Sequence, residues 1–373
     1  MMRKNLQGRM KYRLSAIVGG VLLTAILLTG CGKVAIQTTT GTTSTTPSAT
    51  TAIFTTLSTT SQTTSLGGPI GYDLYAVTNG PDGNVWFTEP NHNGDKIGKI
   101  SPINGAITEY NLTTGSAAWD GIAPGPDGNL WLTQPYQNEI GKISPTGKVT
   151  EYPIPTDNAS AIGITSGPDG NLWFTEDNGN KIGKISPTNG MITEYPVPAG
   201  NAGPNCIAAG PDGNLWFTEQ TGNKIGKISP STGVIAEYLI PTVYANPYGI
   251  TAGPDGNLWF TEYTGNKIGK ISPATGAITE YDVPTDMAGP NGIAAGPDGN
   301  LWFTEYRGSN IGRISPATGV ITEYAIPALN YGNITNGITA GSDGNMWFAL
   351  GLEYKIGKIS PDTGTITEYS IHN

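Results

Sequence analysis

"GPDGNLWFTE", Gly253 to Glu262, compresses a turn and a strand into ten residues. Pro254 suits the first central position of a type I turn, and Gly256 takes the positive φ that follows. The apolar and Thr-rich run behind it, Asn257 to Glu262, reads as a strand. A Gly-Asn turn leads to a third strand, Lys267 to Ile271. A second turn, Ser272 to Gly276, leads to a fourth, Ala277 to Val283. A short apolar run, Gly249-Ile250-Thr251, precedes the turn as the first strand.

The unit recurs. Its Trp stands at 86, 131, 173, 216, 259, 302 and 347, at spacings of 42 to 45 residues. A second marker, "TEY" or "AEY", places Tyr at 110, 152, 195, 238, 281, 324 and 369. Two markers with one count and one period predict an all-β, seven-bladed β-propeller with four antiparallel strands per blade. One blade cannot bury its own faces, so the Trp ladder reads as core between stacked blades. The repeated Asp-Gly lacks the ligand spacing of a calcium loop and reads as turn chemistry. The C-terminal "ITEYSI" is already a fourth strand, so each blade is expected to be contiguous in sequence. The ring then closes by side-chain packing of blade seven on blade one.

Composition agrees. Gly is 53 of 373 residues and 13% of residues are charged, which suits short strands and tight turns better than helices. The net charge of -9, with no basic stripe, argues against a nucleic-acid partner.

The N-terminus differs. Arg3, Lys4, Arg9, Lys11 and Arg13 precede an apolar run, Leu14 to Leu28, which ends in "LTGC". Residues 1–30 therefore read as a signal peptide, with an uncleaved anchor helix as the alternative. Residues 31–66 are rich in Thr and Ser and read as a solvated linker. Residues 67–373 carry the propeller. "LTGC" resembles the lipobox of bacterial lipoproteins, which implies a lipid on Cys31 and an extracytoplasmic body tethered to a bacterial membrane. With Cys31 lipidated, Cys206 has no disulfide partner and is expected to be a buried, inert thiol.

The "GPDG" and "SPATG" turns share one end of the ring and hardly vary. The other end, carrying the blade-to-blade links and the loop after "WFTE", varies and reads as the recognition end. The residue leading into each first strand runs Tyr75, Asp120, Ile162, Asn205, Tyr248, Asn291 and Asn336, with Trp119 beside Asp120. Amides, phenols and a carboxylate around a concave mouth suit a small polar molecule or peptide. Strand capping by Asn and Asp is the competing explanation. Tyr75, Trp119, Asp120, Asn205, Tyr248, Asn291 and Asn336 are the expected ligand-binding set. The Glu of "WFTE" (Glu89, Glu176, Glu219, Glu262, Glu305) is often followed by Lys five residues on, and an exposed hairpin pair is expected. Weak cation binding by these acids is the alternative.

The combined unit "GPDGNLWFTE…NKIGKISP…G.ITEY.IP" resembles the streptogramin B lyases, also called virginiamycin B lyases, over the whole body. The resemblance implies a seven-bladed propeller and a magnesium-dependent elimination that opens a cyclic depsipeptide at its ester. It also implies a His base leading into the last inner strand, a second His one blade earlier, and two metal-holding Glu residues. Residue by residue, the base position falls on Asn336, the second His on Asn291, and the Glu positions on Ile334 and Gly351, with Glu353 nearby. Tyr75 matches a Tyr of the family. An amide cannot accept a proton at neutral pH. His92 and His372 are the only histidines and lie elsewhere. The expectation is therefore a binding propeller with no catalytic residue and no cofactor. Magnesium enters only if an active lyase, using Asp120, Tyr75 or Glu353, is the truth; a protein-interaction scaffold is the third reading. A monomer is expected, touching the membrane through its lipid anchor only.

Overall fold

The computed structural model describes residues 13–18, 21–26, 74, 76–89, 96–111, 121–327 and 335–371. The chain divides into two units, Met1–Leu66 and Gly67–Asn373. In the first, Arg13–Val18 pairs antiparallel with Val21–Ile26. No helix among the described residues is long and apolar enough to cross a membrane. Cys31 lies outside the described residues.

The second unit is seven four-stranded antiparallel sheets, each contiguous in sequence. Blade five shows the plan: Pro247–Ala252, Leu258–Glu262, Lys267–Ile271 and Ile278–Asp282, from the channel outward. All four strands exist as read, although the first begins two residues earlier. The second strand is buried on both faces because a neighbouring blade covers each. Each core cluster joins two blades. Trp259, for instance, packs with Leu301 and Phe303 of blade six. The ring closes in the same manner, with Trp347 and Ile356 of blade seven against Val85 and Phe87 of blade one. Ser342 Oγ of blade seven also donates to the Gly83 carbonyl at 2.7 Å.

The two sequence markers meet in space. Trp259 stacks on Tyr281 with centroids 5.6 Å apart, and Lys270 caps both rings. Tyr281 in turn rests on the turn of the next blade. A Cβ on Gly319, already at φ +73°, would lie 2.3 Å from its ring. Seven such columns tie the outer strands around the ring.

The repeated Asp is turn chemistry, as read. Asp255 Oδ1 accepts from Trp259 Nε1 at 3.0 Å and from the Asn257 backbone N–H at 3.2 Å. Burial pushes this carboxyl up, but the bonds from Trp259 and Asn257 outweigh it and hold it below the usual range.

Candidate functional site

The seven innermost strands enclose a central channel with a cavity of about 240 Å³. Its waist is aliphatic: Val77, Ile122, Ile164, Ile207, Ile250, Ile293 and Ile338, each 6–8% exposed. Of the residues that lead into each strand, Ile162, Tyr248 and Asn291 join the same lining.

A β-bulge sets their direction. In blade three, Ala161 pairs with Glu176 and Ile164 with Phe174, so Ile162 and Gly163 together oppose Thr175. The same shift occurs at 204/207, 247/250, 290/293 and 335/338. An extra residue re-aims the side chain beside it, which strict alternation would not allow. In blades three to six the Thr of "WFTE" holds the bulge. Thr261 Oγ1 accepts from the Gly249 N–H at 2.8 Å and donates to the Asn291 carbonyl of the next blade at 2.6 Å. Thr133 and Thr218 do the same towards Ile162 and Tyr248, and Thr175 towards Asn205. In blade five the next blade's carbonyl lies against the Gly; a Cβ on Gly249 would sit 2.5 Å from Asn291 O.

The expected ligand-binding set distributes unevenly. Tyr248 and Asn291 line the channel, as does Ile162. Asn205 is 3% exposed and is replaced at the lining by its neighbour Cys206. This corrects the expectation of an inert buried thiol. Cys206 takes the Gly position of the bulge, is half-buried, and turns towards the channel, with Sγ 3.4 Å from Asn205 Oδ1. Asn336 lies on the innermost strand of blade seven, Thr335–Ala340. Tyr75, Trp119, Asp120, His92, Ile334 and His372 lie outside the described residues.

The rim above the channel is pinned by Asn residues at positive φ, which recur in the "GN" turn. Asn223 donates Nδ2 to the Ile240 and Thr242 carbonyls and accepts from the Ala245 N–H at 2.7 Å. Asn138 and Asn180 make the same three bonds. The links between blades are therefore fixed before any ligand arrives.

The "WFTE" acids overturn the expectation of exposed pairs. Glu176, Glu219, Glu262 and Glu305 are fully buried, and Glu89 nearly so. Four of them register opposite a Lys, as Glu219 does with Lys224, while Glu305 accepts from Asn310 Nδ2 at 2.8 Å. Yet Lys224 Nζ bonds to Glu237 of the outer strand at 3.0 Å. Glu237 also faces Glu219. Burial, then the facing Glu237 carboxylate, pushes Glu219 up to about 8. Burial with Glu280 does the same for Glu262, and burial with Glu194 raises Glu176 to about 7. Blade two supplies a natural comparison: Gln134 occupies the same buried place and donates Nε2 to Glu151 at 3.5 Å. The burial arises because the link between blades and the glycine turn fold over the strand end. A Cβ on Gly222 would lie 2.8 Å from Glu219 Oε2.

The residues at the family's metal positions do not fit magnesium, which asks for carboxylate oxygen. Gly351 offers no side chain, and Glu353 bonds to Lys355 Nζ at 2.8 Å. Among the described residues, no three His, Cys, Asp or Glu gather as a metal site.

A family model described as the virginiamycin B lyase family matches residues 45–259 and 250–373. A streptogramin B lyase structure is 40% identical, with a TM-score of 0.71, covering 81% of this chain and 95% of its own. A catalytically inactive His-to-Ala variant of virginiamycin B lyase from Staphylococcus aureus, with quinupristin, is also 40% identical. Its TM-score is 0.70, over 77% of this chain and 94% of that one. Hydrazine synthase of Kuenenia stuttgartiensis, at 14% identity and a TM-score of 0.61, shares the fold alone. Compared with curated proteins, the sequence has no match.

Proposed function

The chain belongs to the virginiamycin B lyase family, and from that premise we propose that it binds a cyclic depsipeptide or similar small molecule at the channel mouth without turning it over. The observation that carries the reading is the pair of amides at the histidine positions. Asn291 lines the channel with its backbone carbonyl held by Thr261. Asn336 sits at the base position on the innermost strand of blade seven. Neither amide takes a proton at neutral pH, so elimination has no base there. The rest of the mouth suits recognition. The aliphatic waist offers contact area, Tyr248 adds an aromatic ring and Asn291 an amide to the lining, and the pinned links lower the ordering cost of binding. Tethering by Cys31 would hold this propeller outside the cytoplasm at a bacterial membrane.

The test uses quinupristin, the ligand named with the Staphylococcus relative. Calorimetry should show binding that Tyr248→Ala and Asn291→Ala each weaken about tenfold, the loss of one or two good contacts. Chromatography of the same mixtures with magnesium should show the intact ring. Ring opening by the purified chain would overturn the reading, and so would the absence of binding.

A further inference from the structure

The loop after the second strand carries Asp177 in blade three, Gln220 in blade four, Tyr263 in blade five and Tyr306 in blade six. The last two meet edge to face, with centroids 5.7 Å apart at 68°. Arg307 places its guanidinium carbon 5.2 Å from the Tyr263 ring centroid. We propose that this sector of the rim is a recognition surface for an aromatic carboxylate, with the ring of the ligand on the tyrosine pair and its carboxylate on Arg307.

Four observations support it. First, Arg307 is exposed and has no carboxylate partner among the described residues, in a chain of net charge -9. Its attraction to Tyr263 uses no N–H donor, so the planar fork remains available for a bidentate carboxylate. Second, the platform is built in place. Tyr306 N donates to Gly289 O at 3.0 Å and Arg307 N to Ala288 O at 2.8 Å. Third, it adjoins the channel. A Cβ on Gly289 would lie 3.1 Å from Tyr263, and two residues on Asn291 lines the cavity. Fourth, among the described links the tips beside this sector are apolar. Tyr244 is 85% exposed and Met287 69%, where the link between blades three and four carries Gly200 and Asn201. A ligand seated at the mouth thus meets a cation and an aromatic pair in blades five and six, where the matching loops of blades three and four offer Asp177 and Gln220.

This rests on the binding reading given above, and deepens it by naming the chemistry of the ligand. The experiment titrates the full chain with N-acetyl-Phe-Tyr as the free acid and as the C-terminal amide, followed by NMR or calorimetry. The acid should bind at least tenfold more tightly than the amide, the size of one charge-assisted contact. Arg307→Gln should erase that preference, Arg307→Lys should restore part of it, and Tyr263→Ala should weaken acid and amide alike. Equal affinity in the unaltered chain, a preference that persists in Arg307→Gln, or no binding of either probe would overturn the proposal. Quinupristin is titrated into the same samples. If it binds the unaltered chain and loses affinity in Tyr248→Ala, the channel reading stands whichever way the dipeptides behave.

Discussion

Replacing Glu219 by Gln tests whether the buried acids carry protons in the folded ring. The folded carboxyl titrates at about 8, against 4.5 for the ordinary group. From pH 4.5 upward the unfolded chain loses this proton while the folded chain keeps it until about pH 8. The unfolded state therefore binds fewer protons across that window, and stability falls as pH rises through it. The penalty is absent below pH 4.5 and complete above about pH 8. For one blade the shift corresponds to about 2 kcal/mol at pH 6 and about 4 kcal/mol at pH 8, a ceiling because a buried carboxyl can draw in water when it ionises. Gln removes the titration and keeps a donor towards Glu237, as Gln134 does towards Glu151. Urea unfolding of both chains should give a stability for Glu219→Gln that is higher by about 1 kcal/mol or less at pH 5 and by several times that at pH 8.5. The unaltered chain should itself lose stability over that range, with four other blades contributing the same slope. If Glu219→Gln shows the parent's pH slope, or loses stability equally at pH 5 and 8.5, the proton does not reside on Glu219.

Two further outcomes follow from the scaffold. Thr261→Val strips both bonds that hold Gly249 N–H and Asn291 O, leaving two buried backbone groups unsatisfied. It should cost about 2 to 4 kcal/mol in urea unfolding and also weaken quinupristin binding, whereas Thr261→Ser should retain both. Asp82 is pushed up by burial but drawn further down, to about 2, by bonds from Trp86, Asn84 and Lys99. Its contribution is present above pH 3.8 and lost as pH falls towards 2. Asp82→Asn should lower stability at pH 7 and flatten the acid limb, which differential scanning calorimetry between pH 2 and 5 measures.

Blade number, strand order and turn chemistry were legible because they are local. Trp259 and Tyr281 mark the period, and Asp255 with Gly256 marks the turn, within one repeat of sequence. The acids were misread for the opposite reason. Alternation along "WFTE" predicts one face in water, but a second strand flanked by two blades has no such face, so Glu219 is buried with its facing carboxylate. The bulge also escapes a reading by alternation, and within it Cys206 rather than Asn205 lines the channel. Thr261 was visible as a repeated letter, present in six repeats and replaced by Ala349 in the seventh. Its bond into the next blade was not, since sequence spacing says nothing of contacts 30 residues apart. Of the expected mouth residues, Tyr248 and Asn291 meet at the channel, while Tyr75, Trp119 and Asp120 fall outside the described residues.

Ala349 has a mechanical consequence. Between blades two and six each junction carries a hydroxyl stitch near the axis, from Thr133 to Ile162 O through Thr261 to Asn291 O. Ala349 has no side-chain oxygen to offer blade one, and among the described residues that junction is joined by Ser342 at the opposite end and by apolar contact. No sheet among the described residues spans a junction, so the ring can part there without unzipping a strand ladder. Under heat or pulling force the torus should split first between its last wedge and its first, like a washer cut at one point, while the other wedges stay in register.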